Sequence, residues 1–354
     1  MNADKAGITK KIPFFNRLVQ EVLFALRLSN NPSVKLYQGF GNNTECHIHG
    51  HALALGPISR RRYRNNILSN TLALFRLFIV KPIAGAALRL SWEGKVYETV
   101  SEADGFFKFE WKPLNPLTPG CYNIEVNMVH KNTGEIIATG KAGLVVPYVN
   151  QFAFISDIDD TFLISHSGNL RKRLFVLLTE NARSRKPFEG VVNHYNLLSM
   201  AGALDKTNNA FFYVSSSEWN LYDYIREFSK KNKLPDGVYL LNQLKRFSQV
   251  FKTGQNNHKT KFMRIVRILE AFPKQVFILL GDDSQEDPNI YASLVSHFKS
   301  QIFCVYIRMV TNNPKPSVEV KLKEIEAASV KYCYFKHSAE AVIHSKSIGI
   351  IKSV

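Results

Sequence analysis

The chain has 354 residues, enough for two domains, and its composition is that of a protein with an apolar core. Hydrophobic residues make up 45% and charged residues 21%, which excludes a disordered or fibrous chain. The formal net charge of +17 favours anionic partners such as nucleic acid, acidic membrane surfaces or phosphorylated substrates. The four cysteines are widely spaced and form no CxxC pair, so they indicate neither a disulfide framework nor a zinc ribbon. We therefore expect a reducing, cytoplasmic compartment.

Residues 1–34 are predicted to form an N-terminal amphipathic helical segment. Apolar residues recur at helical spacing between Pro13 and Leu28, and charged residues lie opposite them. Arg17 and Glu21 interrupt the apolar run, which excludes a secretory signal there. We interpret the segment as a helix packed on the body of the protein, with contact to a membrane surface as the alternative.

Residues 35–149 are predicted to form an antiparallel β-sandwich domain. Short runs that alternate between apolar and polar residues are typical of strands with one buried face. Asp104-Gly105 and Thr133-Gly134 separate such runs, and we interpret both pairs as hairpin turns. The clearest runs lie at 85–94, 95–100, 105–111 and 121–129.

Cys46, His47, His49 and His51 lie close together in this half and resemble a set of metal ligands. On a strand the three histidines would share one face and the cysteine would lie on the other. Three ligands in line on one face rarely enclose a metal ion, so we interpret the histidines as a polar face of the sandwich.

After residue 150 the pattern changes to short apolar runs separated by helical stretches. This alternation predicts a parallel sheet with helices on both faces. In such sheets ligands bind beyond the carboxyl ends of the strands, so the residues that follow each run are the candidates for a site. The runs lie at 152–155, 211–214, 238–241, 276–280 and 302–307.

Residues whose side chains can take part in catalysis follow three of these runs. Asp157 and Asp159 follow the first run, Ser215 follows the second, and the acidic loop Asp282–Asp287 follows the fourth, while Lys259 opens a helix before that loop. Of two carboxylates two residues apart, one can attack phosphorus and the other can transfer a proton. Mg²⁺ prefers hard oxygen ligands, and a hydroxyl and an ammonium can hold phosphoryl oxygens. The pattern indicates phosphoryl transfer through an enzyme aspartate with Mg²⁺.

These motifs, in this order, resemble those of the haloacid dehalogenase-like superfamily and, more closely, the actin-patch type phosphatidate phosphatase family. The resemblance covers residues 150–310 well and the N-terminal half only in layout. It implies a haloacid dehalogenase-like phosphatase domain over 150–354, with a parallel Rossmannoid sheet, preceded by a β-rich region. The segments that carry it are SDIDDT at 156–161, YVSSSEWNLY at 213–222, HK at 258–259 and FPKQVFILLGDDSQEDPNIY at 272–291.

The resemblance implies a Mg²⁺-dependent phosphatase that converts phosphatidate to diacylglycerol through an aspartyl-phosphate intermediate. Asp157 would be the nucleophile, and Asp159 would be the general acid and base. Ser215 would bind the phosphate group, and Lys259 would neutralise its charge.

The same resemblance implies a set of metal-binding residues. Asp157, Asp282 and the backbone carbonyl of Asp159 would bind the metal, and Asp287 would order its surroundings. The fourth motif reads GDDSQ where the family commonly has GDSGQ, which adds Asp283. We expect the Asp283 carboxylate to face solvent, with metal binding as the alternative.

Three functions are weighed from the sequence. The first is a peripheral phosphatase that acts on a phosphomonoester lipid at an anionic membrane surface. The second has the same chemistry on a soluble phosphate ester or a nucleotide, and the third is a non-catalytic basic adaptor at membranes. No nucleic-acid partner is expected, because the sequence has no helix-turn-helix, zinc-finger or RNA-binding aromatic pattern. The basic cluster Arg60–Arg64 and the apolar segment after it fit either lipid contact or a solvated loop. The oligomeric state is left open.

Overall fold

The structure is a computed structural model that describes residues 32–55, 80–163, 186–203, 207–242, 257–310 and 313–352, without the side chains of 257–259. The helix predicted over Pro13–Leu28 and the basic cluster Arg60–Arg64 lie outside these residues. Within the described ranges, no helix is long and apolar enough to cross a bilayer. The four cysteines all lie in these ranges and are unpaired.

In the described part of the N-terminal half, nine strands form a sheet that is antiparallel except where β2 pairs with β9. The main strand order is β1-β3-β2-β9-β8-β5-β6, and β4 and β7 also pair with β3. Apolar side chains of β3 and β7 share one buried cluster with those of β5 and β8, so the sheet closes around a common core. The strands are β1 (Ser33–Leu36), β2 (Gly39–Gly41), β3 (Cys46–Leu55), β4 (Lys81–Pro82), β5 (Ala87–Trp92), β6 (Lys95–Val100), β7 (Phe106–Trp111), β8 (Gly120–Val129) and β9 (Ile136–Val146).

The two predicted hairpin turns have different outcomes. Thr133-Gly134 joins the antiparallel pair β8 and β9, and Gly134 has a φ of 71° that favours glycine. Asp104-Gly105 joins β6 to β7, but β7 pairs with β3, so the prediction of a hairpin there is wrong. The physical reason is a contact with β3, because the Gly105 carbonyl accepts a hydrogen bond from the amide of Ala52 at 2.8 Å.

Among the residues that the structure describes in the C-terminal half, six strands form a sheet in the order β12-β11-β10-β13-β14-β15, and each of these pairs is parallel. This confirms the predicted α/β sheet. The strands are β10 (Phe152–Ser156), β11 (Ala210–Glu218), β12 (Gly237–Asn242), β13 (Val276–Asp282), β14 (Ile302–Arg308) and β15 (Lys331–Phe335). The helices are α1 (Val191–Ser199), α2 (Tyr222–Lys231), α3 (Asn257–Ala271), α4 (Asp287–Phe298), α5 (Pro316–Ala327) and α6 (Ser338–Ser347), with a 3₁₀ turn at Trp219–Leu221.

Alternate residues of the central strands enter two separate cores, as a strand period of two requires. On β10, Phe154 packs in one core with residues of α1, α2 and α6. Its neighbours Ala153 and Ile155 pack in the other core with residues of α3, α4 and α5. Both faces of the sheet are therefore covered by helices, which explains the nearly continuous apolar runs in the sequence.

The two sheets contact each other directly. Tyr37 and Leu53 belong to one core of the parallel sheet, and Phe40 belongs to the other. The Lys35 ammonium also lies 2.5 Å from an Asp223 carboxylate oxygen in α2. The change from antiparallel to parallel pairing falls between β9 and β10, where the boundary between domains is predicted, and the division into domains stays a prediction.

The three histidines of β3 share one face, as predicted, but that face is buried. His49 and His51 lie against the ring of Phe106, and His47 stacks with Phe40 at a centroid distance of 5.0 Å. Burial lowers the pKa of His49 to about 3 and that of His51 to about 4, because the interior disfavours the charged imidazolium. His49 and His51 are therefore neutral parts of a buried contact.

Candidate active site

Asp157 lies directly beyond the carboxyl end of β10, the central strand of the sheet. Its amide donates a hydrogen bond to the Leu280 carbonyl at 2.8 Å, which extends the pairing with β13 by one residue. The side chain is only 2% exposed. The backbone thus presents a buried carboxylate at the edge where the sequence predicts a site.

The chain turns sharply after Asp157 and returns its own side chains to the site. Asp160 has a φ of 60°, a left-handed conformation that aspartate tolerates better than most residues, and its amide bonds to the Leu163 carbonyl. The Thr161 hydroxyl consequently lies 3.3 Å from an oxygen of Asp157 and 3.2 Å from an oxygen of Asp282. Thr161 therefore places a hydroxyl between the two carboxylates.

Lys261, in the second turn of α3, is the lysine that contacts these acids. Its ammonium lies 2.6 Å from Asp157 Oδ1 and also contacts Asp287 Oδ1. Its side chain is 4% exposed. Burial lowers the pKa of Lys261, but the two carboxylates outweigh this effect and raise it, so the ammonium is charged. Lys259 lies in the same helix, but its side chain is outside the described residues, and the role predicted for it stays a prediction.

Gly281 and Asp287 fix the geometry of the acidic loop after β13. A Cβ at Gly281 would lie 2.5 Å from Asp287 Oδ2, so only glycine lets this carboxylate come so close to the strand. The amide of Asp282 donates to the same Asp287 oxygen at 3.3 Å, while the amide of Ser284 donates to Asp282 Oδ1 at 2.5 Å. The loop therefore folds back on its own carboxylates.

Asp157, Asp282 and Asp287 each offer an oxygen within 4.8 Å of the others, and all three residues are buried. Burial and the Asp287 carboxylate raise the pKa of Asp282 to about 7. Burial also raises the pKa of Asp157, an effect that the Lys261 ammonium opposes and the neighbouring carboxylates reinforce. Three buried carboxylates with one ammonium leave an excess of negative charge, which suits a divalent cation with oxygen ligands.

Asp159 lies close by, but its carboxylate turns to the serines in the last part of β11. The hydroxyls of Ser215 and Ser217 donate to Asp159 Oδ2 at 3.0 and 2.6 Å. The Ser217 amide in turn donates to the Ser215 hydroxyl at 2.9 Å. The structure thus brings Ser215 to Asp159, as expected of one site, and adds Ser217, which the sequence reasoning missed.

The expectation that Asp283 faces solvent is wrong. Its carboxylate is buried and accepts hydrogen bonds from the Tyr334 hydroxyl at 2.8 Å and the Val310 amide at 2.9 Å. The Lys315 ammonium lies 3.7 Å from the same carboxylate. Asp283 therefore ties the acidic loop to the ends of β14 and β15, and it does not belong to the cluster of three acids.

Arg308, at the end of β14, is hydrogen-bonded to the backbone of the loop that follows Asp157. Its Nε donates to the Thr161 carbonyl at 2.8 Å, and its guanidinium lies between the rings of Phe188 and Phe335. A second donor reaches the Ser338 hydroxyl at 2.9 Å. A buried guanidinium paired in this way restrains the loop, because each displaced donor would lose a hydrogen bond.

The signal for Lys261 was present in the sequence. Lys261 stands four residues before Ile265 and seven before Ile268, so it lies on the buried stripe of α3 at the end nearest the site. A lysine on an apolar stripe is rarely buried without an anionic partner. No comparable pattern announces Arg308 or Ser217, whose roles depend on contacts between distant elements.

The segment that carries this site matches a known family. Residues 152–309 match the model described as the catalytic domain of phosphatidate phosphatase APP1. This segment is therefore similar to the catalytic domain of that family, in agreement with the resemblance that its motifs carry.

Two curated relatives align with part of the chain. One is the phosphatidate phosphatase APP1 of Saccharomyces cerevisiae, which is 30% identical over 198 residues, 55% of this chain and 32% of the relative. The other is an uncharacterized protein of Schizosaccharomyces pombe, 21% identical over 166 residues, 46% of this chain and 26% of that protein. The chain thus spans a third or less of the length of these relatives.

Among solved structures, a carbohydrate acetylesterase from Xanthomonas citri aligns over 90% of this chain and 75% of its own. The sequence identity is 10% and the TM-score is 0.33, too low to bear on fold or function.

Proposed function

We propose that the chain is a haloacid dehalogenase-like phosphatase that hydrolyses a phosphomonoester. The observation that carries this proposal is the buried Asp157 carboxylate, paired with Lys261 and clustered with Asp282 and Asp287 at the carboxyl edge of the sheet. The cluster lies inside the segment that matches a phosphatidate phosphatase catalytic domain. An adaptor that only binds phosphate would not require a buried acid there.

Asp157 is the proposed nucleophile. One of its oxygens forms a bond to phosphorus while the bond from phosphorus to the leaving alcohol oxygen breaks, which gives an aspartyl-phosphate. Asp159 donates a proton to the leaving oxygen and then accepts one from the water that attacks phosphorus in the second step. That second attack breaks the bond to Asp157 and releases inorganic phosphate. Lys261 favours the ionised form of Asp157 that the first step needs.

The residues around these acids support the same assignment. The two serine hydroxyls hold the Asp159 carboxylate in one orientation, which a group that transfers protons requires. Ser215 and Lys259 are proposed to contact the phosphoryl oxygens. Lys261 is a further candidate, because its ammonium already lies against Asp157.

Mg²⁺ is the proposed cofactor, and the buried acids fit its preference for oxygen ligands. Asp157 and Asp282 would bind it, together with the backbone carbonyl of Asp159. Asp287 is engaged through both oxygens, with Lys261 and the Asp282 amide, so it is better placed to order this set than to bind alone. When bound, the cation would offset charge on the transferring phosphoryl group.

Phosphatidate is the proposed substrate, because the yeast relative carries that activity in its name. A lipid substrate requires the protein to work at a membrane surface, and the net charge of +17 favours an anionic one. We accordingly propose a cytoplasmic protein that binds membranes peripherally. A soluble phosphate ester or a nucleotide is the second candidate, which the same four motifs support.

The test is release of inorganic phosphate from phosphatidate in mixed vesicles and from a water-soluble monoester, each with Mg²⁺ or with EDTA. We expect Mg²⁺-dependent release by the wild type and none by Asp157→Asn. Asp236→Asn is the matched control, because Asp236 is exposed at the opposite, amino edge of β12. Release by Asp157→Asn at the wild-type rate would contradict the nucleophile. Release only from the soluble ester would favour the second candidate.

A further inference from the structure

We propose that Tyr37, in the antiparallel sheet, is a positioning residue for the serine segment, residues 215–219. The proposal rests on the function proposed above, because it assigns Tyr37 to the support of Asp159. It gives the N-terminal half of the chain a part in the reaction of the C-terminal half.

Tyr37 lies in the short link between β1 and β2 and is 1% exposed. Its ring stacks on the indole of Trp219 with centroids 3.9 Å apart and planes 16° apart. Its hydroxyl lies 2.9 Å from Nδ1 of His51 on β3, which fixes the ring from the other side. The antiparallel sheet therefore holds a rigid aromatic surface against the residue that ends the serine segment.

The serine segment needs such support because it leaves the regular ladder of the sheet. The pairing of β11 with β12 shifts between Val214 and Glu218, so backbone pairing does not fix the intervening serines. Trp219 also lines a cavity of about 520 Å³ together with His51 and Arg264. The indole of Trp219 therefore borders this cavity, and the ring of Tyr37 covers another part of the indole.

A short path joins Tyr37 to the proposed proton-transfer group. Trp219 stands two residues after Ser217, whose hydroxyl donates to Asp159 at 2.6 Å. A displacement of the indole would move Ser217 along the chain and loosen this bond. Small errors in the placement of a reacting group cost rate more than binding, because the transition state demands the tighter geometry.

The experiment compares the wild-type chain of 354 residues with Tyr37→Leu, Tyr37→Phe and a control, Phe109→Leu. Phe109 is also buried in the same sheet, but it belongs to the antiparallel core, whereas Tyr37 belongs to a core of the parallel sheet. The readouts are kcat and KM on a water-soluble monoester, and hydrogen exchange of the amides of residues 215–221.

Tyr37→Leu should lower kcat by about ten- to hundredfold, with a smaller change in KM, and should speed exchange in 215–221. Tyr37→Phe keeps the stacked ring and should restore most of kcat. Phe109→Leu should destabilise the protein without either effect. Equal kcat and equal exchange in Tyr37→Leu and Phe109→Leu would overturn the proposal. If the wild type releases no phosphate, the proposed function fails, whereas the exchange measurement still decides whether Tyr37 holds the serine segment.

Discussion

Replacement of Lys261 by methionine should destabilise the protein strongly in the absence of a metal. The change keeps an unbranched side chain but removes the ammonium that contacts Asp157 and Asp287. The side chains of Lys261, Asp157 and Asp287 are at most 4% exposed. Water therefore cannot solvate the two carboxylates that remain after the ammonium is removed. Removing one partner of a buried ion pair costs about 3–5 kcal/mol of the free energy of unfolding, and this is the expected loss.

The assay is urea unfolding in EDTA, followed by the same measurement with Mg²⁺. A cation bound at 100 times its Kd adds about 2.7 kcal/mol, so Mg²⁺ should recover a large part of the loss if the acids bind it. Lys35→Met is the matched control, because that ion pair with Asp223 is 29% and 28% exposed and should be worth at most about 1 kcal/mol. Equal stability of Lys261→Met and the wild type in EDTA would refute the view that this ammonium balances the buried acids.

Two further changes test the loop and the core. Gly281→Ala places a Cβ 2.5 Å from Asp287 Oδ2, so it should cost about 1–3 kcal/mol and raise the Mg²⁺ concentration needed for half-maximal activity; an unchanged Mg²⁺ dependence would contradict the role of Asp287. Burial, reinforced by Arg308, lowers the pKa of His194 to about 3, so this histidine contributes fully above about pH 6.5 and its contribution is lost as the pH falls toward 3. Through His194, the wild type should lose about 2–3 kcal/mol of its free energy of unfolding between pH 6.5 and 4.5. In His194→Gln this part of the loss should be absent, as measured by urea unfolding at each pH. Parallel curves for the variant and the wild type would show that His194 does not titrate in this way.

Most of the parallel sheet was predictable because its strands are buried on both faces and are therefore uniformly apolar. The run at 276–280, for example, became the core of β13. Strand β15 escaped prediction because KYCYF mixes polar and apolar residues, as a half-buried strand at the sheet edge does. In the N-terminal half the strands β5 to β8 and the hairpin between β8 and β9 were predictable. The pairing of β7 was not, because β7 leaves its neighbour in sequence to pair with β3.

The site was predictable as far as motifs follow strands directly. Asp157, Asp282 and Asp287 meet because the carboxyl ends of β10 and β13 are adjacent. The alternation of strands and helices implies that these ends share one edge of the sheet, but the order of the strands comes from the structure. The partners of Asp283 could not be foreseen, since Tyr334 and Lys315 come from later elements. From the sequence alone, a carboxylate in an acidic loop is expected to face solvent, because its partners from later elements are not visible there.

The contact of Tyr37 with Trp219 has an evolutionary consequence. Two units that share an aromatic stack cannot diverge independently, because a change in one ring alters the selection on the other. If an α/β unit of this kind became joined to an unrelated N-terminal region, it would have to find a new surface for its tryptophan or replace it. Substitutions at the positions of Tyr37 and Trp219 should therefore occur together across homologous chains, while the acids at the sheet edge stay constant.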